Sequence, residues 1–295
     1  MNANLTNKPK SGKRTWQSIT RELLAVSVGL LSFGLAPLIA DAQNVTSVNY
    51  KFEQVAPQVQ ERFLNKQNTS EDHAGISHNI GDYVQPSIQD ISLTLKTGQY
   101  NQKAGEKISK EFGLGYKLSG NGTMLYMQPN LIRLDGRLIG MKAKFIMDGF
   151  TQKIHVGFIN QTQDHSKAPG KVTTLLDLGL LNNFYLTYTT AQYMGTRQID
   201  GAECALFRLS YQPGMQDTSF RLVWIDTKEH MIRRREEHKQ DGTLHAIYLY
   251  RNPVQIQGAW IPTEVDAINA DGEFVGQTFI QNPRLNTGIT EASFH

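Results

Sequence analysis

Cysteine is nearly absent. The 295 residues contain one, Cys204. No disulfide can close within the chain, which excludes the small disulfide-stapled scaffolds. Cys204 lies in a strand-like run, the usual setting of a buried, inert thiol rather than a nucleophile. Enzyme signatures are missing too: there is no G-x-S-x-G, Walker A, G-x-G-x-x-G or H-E-x-x-H string. Gly113-Leu114-Gly115 lacks the third glycine and the helix that a dinucleotide loop needs. His73 and His78 stand near Glu71, Asp72 and Asp82 but match no standard metal spacing, and His230 and His238 have no third ligand. The expectations are no enzymatic activity, no cofactor and no metal.

Net charge is lacking once the N-terminus is set apart. Lys8, Lys10, Lys13, Arg14 and Arg21 precede an apolar run from Leu23 to Ala40 that ends in Ala40-Asp41-Ala42. A basic region, an apolar core and a small-x-small site describe a cleavable export signal over residues 1–42. No cysteine follows the run, so the mature protein is not expected to be lipidated. Of the 30 Lys+Arg and 27 Asp+Glu, that segment holds five basic and two acidic residues, leaving 25 of each. A neutral mature chain has no electrostatic footprint for nucleic acid. The expected location is the periplasm.

No linker rich in Pro, Ser or Gly divides residues 43–295, so one domain is expected. Its N-terminal part, 48–97, reads as helical. Phe52, Val55, Val59 and Phe63 form one helical stripe interrupted by Pro57, and Ile88, Ile91 and Leu95 form a second over Ser87–Thr97. Residues 65–85, 98–110 and 160–171 are polar and read as loops. From 111 to 295 the texture is that of a β-meander. Strands are expected at Phe112–Leu118, Thr123–Gln128, Leu131–Asp135, Lys142–Met147 and Lys153–Phe158. Seven more follow at Thr187–Gln198, Cys204–Tyr211, Phe220–Ile225, Met231–Lys239, Leu244–Arg251, Trp260–Ile268 and Glu273–Gln281. Asn121-Gly122, Asp135-Gly136, Asp148-Gly149, Asp200-Gly201, Asp241-Gly242 and Asp271-Gly272 supply turn signals. The Leu-rich run 172–184 reads as a helix. The fold class is therefore mainly β (α+β): an incomplete antiparallel barrel of about 11–12 strands, with helices as lid or plug on the concave face.

Several strings, in order, resemble the LolA-type lipoprotein-sorting proteins. They are Met127-Gln128-Pro129-Asn130-Leu131-Ile132-Arg133 with Asp135-Gly136, then Tyr193-Met194-Gly195-Thr196 with Ile199-Asp200-Gly201. Trp224-Ile225-Asp226 follows, running through Arg233 to Asp241-Gly242, then Gly258-Ala259-Trp260-Ile261-Pro262-Thr263, and finally Asn286-Thr287-Gly288-Ile289 with Phe294. The resemblance implies an apolar concave face that takes acyl chains of lipoproteins or phospholipid, passed between membrane donor and acceptor proteins by a monomeric carrier. Moving each methylene from water into such a face gains about 0.8 kcal/mol. In the carriers an Arg before the Pro-Asn pair holds the lid; Gln128 stands there here, so that lock is absent or supplied elsewhere. A lipid- or lipoprotein-sensing regulatory module of the same fold is the alternative.

On this reading the cavity candidates are Met124, Met127, Leu131, Phe145, Met147, Phe158, Tyr193, Met194, Leu206, Trp224, Tyr248 and Trp260. Flexible thioethers suit irregular acyl chains, although methionine also fills ordinary cores. Arg133, Arg233 and Arg235 are candidates for a headgroup or lid. In Arg233-Arg234-Arg235-Glu236-Glu237 alternate side chains face opposite sides of a strand, so at least one Arg turns inward.

Overall fold

The computed structural model describes residues 76–109, 112–113, 116, 122–138 and 140–295. The expected export signal, the expected 48–64 helix, the first part of the 65–85 loop and Asn121 of the first turn signal lie outside the described residues.

Among the described residues, fifteen strands carry the fold. The first six are β1 (Asp90–Tyr100), β2 (Gly122–Met127), β3 (Leu131–Leu138), β4 (Met141–Asp148), β5 (Thr151–Val156) and β6 (Ile159–Asp164). Then come β7 (Thr189–Ile199), β8 (Ala202–Tyr211), β9 (Phe220–Asp226), β10 (Ile232–His238) and β11 (Leu244–Arg251). The chain ends with β12 (Val254–Ile256), β13 (Ala259–Ile261), β14 (Glu264–Asn269) and β15 (Phe274–Leu285). Thirteen of them form one sheet in the order β6-β5-β4-β3-β2-β1-β15-β14-β11-β10-β9-β8-β7, with β12 and β13 as a separate hairpin. Every pairing is antiparallel, so the whole is two meanders joined where β1 pairs with β15. The ends β6 and β7 are not paired with each other, and the sheet is an open barrel.

Its curl follows from three rings. Phe150, in the β4–β5 turn, and Tyr211, at the end of β8, both lie against Tyr188, with centroids 5.1 and 6.3 Å away. Nine strand spacings separate β4 from β8. On a flat sheet that is about 43 Å, at roughly 4.8 Å per strand. Only a sheet wrapped round on itself brings both rings to one tyrosine.

Six sequence expectations are corrected. Ser87–Thr97 is not a helix, because Asp90–Tyr100 forms β1. Ile91, Leu93 and Leu95 alternate as well as they fit a helical stripe, and hydrogen-bonded neighbours on both sides decide the matter. The polar stretch after β1 instead holds helix α1 (Gln102–Ile108), whose start is capped by the Asn101 side chain. Phe112, Gly113 and Tyr116, placed in an expected strand, are helical. Asp135-Gly136 makes no turn; it continues β3, with the Asp135 carboxylate accepting from Arg133 two residues earlier. Part of the 160–171 loop is the edge strand β6, where alternating exposure of polar side chains hides the usual apolar signal. The expected strand Trp260–Ile268 breaks at Pro262, which has no N–H for a ladder.

The seventh difference matters most for function. The Leu-rich run is not one helix. It is a short 3-10 turn at Leu175–Leu178, then extended chain, then helix α2 (Asn183–Thr187). Val172, Leu175, Leu176, Leu178, Leu180 and Leu181 are all buried in the main core, so no side of the segment is polar and no helical period is enforced. Its backbone is satisfied by the sheet. The Gly179 carbonyl accepts from Ile232 N–H at 2.8 Å, and the Leu176 carbonyl accepts from the Tyr250 hydroxyl at 3.0 Å.

A buried histidine in this frame gives a pH dependence. His245 is 5% exposed and its Nε2 finds no partner among the described residues. Burial, then Lys239, push it down to about 4. The folded state therefore holds it neutral, while the unfolded chain takes up a proton below about 6.5. Its contribution is intact above that value and is lost as pH falls toward 4. About 3 kcal/mol is at stake, at 1.36 kcal/mol per pKa unit. Urea midpoints at pH 7 and 4.5 check this: His245→Leu should show a clearly smaller drop than the unaltered protein, and equal drops would refute it.

Candidate functional site: the inner face and its plug

Ladder register defines the inner face. On the first half of the sheet Ile91, Leu93 and Leu95 of β1 share a side with Met124 and Tyr126, Ile132 and Leu134, Phe145 and Met147, and Ile154 and Val156. All of these are buried and belong to one core cluster. On the second half the same face carries Ala205, Phe207, Leu209, Val223, Tyr248 and Tyr250, but also Arg221, Arg235 and Glu237. Residues 169–188 lie against both halves as a plug.

The plug is tied at two ends. Near the β2–β3 turn, Asn130 is buried and its side-chain amide donates to the Thr173 carbonyl at 3.0 Å. The Asn182 amide in turn donates to the Pro129 carbonyl and to Asn130 Oδ1, each at 3.2 Å. Asn130 of the Pro-Asn string is thus a hub of the plug. Gln128 joins Pro129 through a cis peptide and donates its side-chain amide to the Ile88 carbonyl, so it holds the start of β1 rather than the plug. Replacing Asn130 with Ala removes its bond to the Thr173 carbonyl and leaves the Asn182 amide with the Pro129 carbonyl alone. A loss of about 2–3 kcal/mol is expected in a thermal or urea melt; a loss below about 0.5 kcal/mol, the level of an ordinary surface substitution, would show that Asn130 is no hub.

At the other end sits a buried charged cluster. Arg235, 1% exposed, donates from Nη1 to Asp177 Oδ1 of the plug at 2.8 Å, and its Nη2 lies 3.6 Å from Glu237 Oε1. Its guanidinium stacks over the Tyr248 ring at 4.3 Å. Arg221 faces Glu237 Oε1 at 3.5 Å and donates to the Tyr185 hydroxyl at 3.0 Å, to the Tyr211 hydroxyl, and to the Gly170 carbonyl at 3.4 Å. Asp177 also closes a capping box with Thr174, so one carboxylate sets the plug's turn and pairs with the sheet. Burial raises the Glu237 carboxyl against the opposing pull of Arg235 and Arg221. Burial also raises Tyr185, Tyr211 and Tyr250, which remain neutral hydroxyls.

The expected site residues fall into distinct places. Met124, Phe145, Met147 and Tyr248 are buried on the inner face, and Tyr193 packs at its margin against Phe207. Met127 and Leu131 pair with each other on the outer face. Leu206, Trp224 and Met194 belong to a separate outer cluster with Cys204 and Leu222. Burial, then the Asp226 carboxylate, push the Cys204 thiol up to about 12, which keeps it unreactive. Trp260 is in the β12–β13 hairpin, its backbone held by the Gln85 side chain. Phe158 is 71% exposed between β5 and β6 and lines nothing.

Of the three arginines, only Arg235 faces inward. Arg133 forks onto Asp135 and donates to the Ser293 carbonyl. Arg233 pairs with Asp226 and Glu229. Asp177, Arg221, Tyr185, Tyr211 and Tyr250 were not anticipated as site residues. Glu237 was visible only as part of the charged strand, where its parity with Arg235 puts both on one face.

No family model matches the chain, and no curated protein matches it. Solved structures do. A LolA superfamily protein from Nitrosomonas europaea superposes at a TM-score of 0.52 with 13% identity, over 75% of this chain and 98% of that one. The fold is LolA-like. A DUF1329 family protein from Desulfovibrio piger gives 0.52 and 12%, over 73% and 92% of the two chains. A putative outer membrane lipoprotein-sorting protein domain from Vibrio parahaemolyticus gives 0.47 and 11%, over 73% and 93%. At these identities the likeness is one of fold. Within the LolA-like frame, the tie between plug and sheet here runs through Asn130 and through Arg235 with Arg221.

Proposed function

We propose that this protein is an exported lipid carrier. It takes acyl chains, of lipoproteins or of phospholipid, between the inner face and the plug, and moves them across the periplasm toward the outer membrane. The observation that carries the reading is the division of the core. One apolar surface runs over strands β1 to β5, and a separate segment, 169–188, packs its leucines onto it and is tied to the sheet by a small set of polar contacts. A core that must open needs such a cover. Acyl methylenes entering in its place are favoured by about 0.8 kcal/mol each. The LolA-like fold and the family-like strings support the same reading, as does the N-terminal basic and apolar segment.

The test is native mass spectrometry of the mature protein purified from the periplasm without detergent, followed by lipid extraction and by titration with a fluorescent fatty acid. Bound lipid or saturable uptake supports the carrier. A clean apo mass with no uptake would refute it and leave the fold as a closed, protein-binding module. Pull-down from envelope extracts separates the regulatory alternative, since a sensor would recover one membrane partner rather than many lipoproteins.

A further inference from the structure

The charged cluster has more cation than a plug needs. Two guanidiniums stand on the inner face of β9 and β10, Arg221 buried and Arg235 fully buried. Buried cations persist only when paired. Their sheet-borne partner, Glu237, is distant, at 3.5 and 3.6 Å. The close contact of Arg235 is Asp177 at 2.8 Å, and Asp177 belongs to the plug. Withdrawing the plug therefore leaves the inner face one positive charge richer, whatever the protonation of Glu237.

Three details make this a place for a ligand's anion and not only a strut. Asp177 takes a single N–H of Arg235, while Arg235 Nε is buried without a partner among the described residues. A freely oriented carboxylate or phosphate can engage such a guanidinium as a fork and use more of its donors. The Tyr188 hydroxyl, also inside the core, has no partner among the described residues and is a further donor. Finally, the Asp177 side chain is 17% exposed against 1% for Arg235, so the anion sits on the solvent side of the cation. An entering headgroup meets the pair from that side.

We infer that Arg235, with Arg221 behind it, is the headgroup site for an anionic amphiphile, a carboxylate or phosphate at the end of a long apolar chain, and that Asp177 occupies this site in the closed protein. The inference rests on the lipid-carrier reading and adds the charge of its ligand. The chain of the amphiphile runs from Tyr248 and Val223 over the apolar half of the face, and its anion replaces Asp177 as the plug lifts. A neutral lipid of equal length leaves Arg235 buried and unpaired when the plug moves, and is selected against.

The experiment is calorimetric titration of the exported protein with palmitate, methyl palmitate and acetate, the first two delivered from cyclodextrin. Palmitate is expected to bind at least about tenfold more tightly than its ester, a difference of about 1.4 kcal/mol, with no binding of acetate. Asp177→Asn, which removes the anion that either lipid must displace, should tighten both long-chain probes about tenfold and keep palmitate the tighter of the two. Arg235→Lys should bring palmitate toward the ester; if that variant does not fold, Asp177→Asn still decides. Equal affinities for acid and ester, unmoved by Asp177→Asn, overturn the headgroup site and leave the lipid carrier standing. Acetate binding as well as palmitate overturns the amphiphile. Binding of neither long-chain probe overturns both readings together.

Discussion

Arg235→Met is expected to lower the unfolding free energy by about 3–5 kcal/mol, the cost of breaking a buried ion pair from one side. The methylene stem of Arg235 is matched well enough by methionine that packing changes little. The loss arises from Asp177 and Glu237, which keep their charge or must take up a proton inside the core. Glu237 Oε2 has no hydrogen-bond partner among the described residues even with Arg235 in place, and without it Glu237 keeps only Arg221, 3.5 Å from Oε1. The change should appear as a lower urea midpoint with an unaltered slope. Adding Asp177→Asn to the same chain should recover part of the loss, because one uncompensated carboxylate goes with it while Glu237 stays to pair Arg221. If the single variant is as stable as the parent, Arg235 does not carry the plug.

The dependence on Arg235 also explains what the sequence showed and what it hid. The meander was legible because Asp200-Gly201, Asp241-Gly242 and Asp271-Gly272 sit at real turns, with positive φ at Gly201, Gly242 and Gly272. The inward turn of one arginine was legible from strand parity alone. Which one was not, because a bulge between Ile232 and Arg234 resets the alternation. Leu206 and Trp224 were cavity candidates as apolar residues in expected strands, but on β8 and β9 both faces carry buried apolar residues, and hydrophobicity cannot choose between them. The plug was misjudged as a helix because a segment buried on all sides has no period to read. Asp177 escaped notice for a simpler reason. One carboxylate in a run of leucines looks like a turn residue until the register places Arg235 beside it.

The plug can also be loosened without touching any charge. Gly179 has φ +76°, and a Cβ there would lie 2.6, 2.7 and 3.1 Å from three ring atoms of Tyr250. Gly179→Ala therefore meets two costs. The left-handed backbone costs an L-residue about 1–2 kcal/mol, and the forced contact about 1–3 kcal/mol, for a total of about 2–5 kcal/mol. Tyr250 has little room to yield, since its ring is buried and its hydroxyl holds the Leu176 carbonyl. The strain falls on the segment itself, which gives way before the sheet does. Amide exchange at Leu176, Gly179 and Leu180 should accelerate well beyond that of β10 and β11, and uptake of a fluorescent fatty acid should become faster. Gly201→Ala is the matched control: φ is +80° in the β7–β8 turn and nothing lies within 4 Å of the added carbon. It bears the backbone cost alone, far from the plug. If the two variants exchange and take up lipid alike, residues 169–188 are a fixed part of the core, and the opening of the LolA-like barrel must be sought elsewhere.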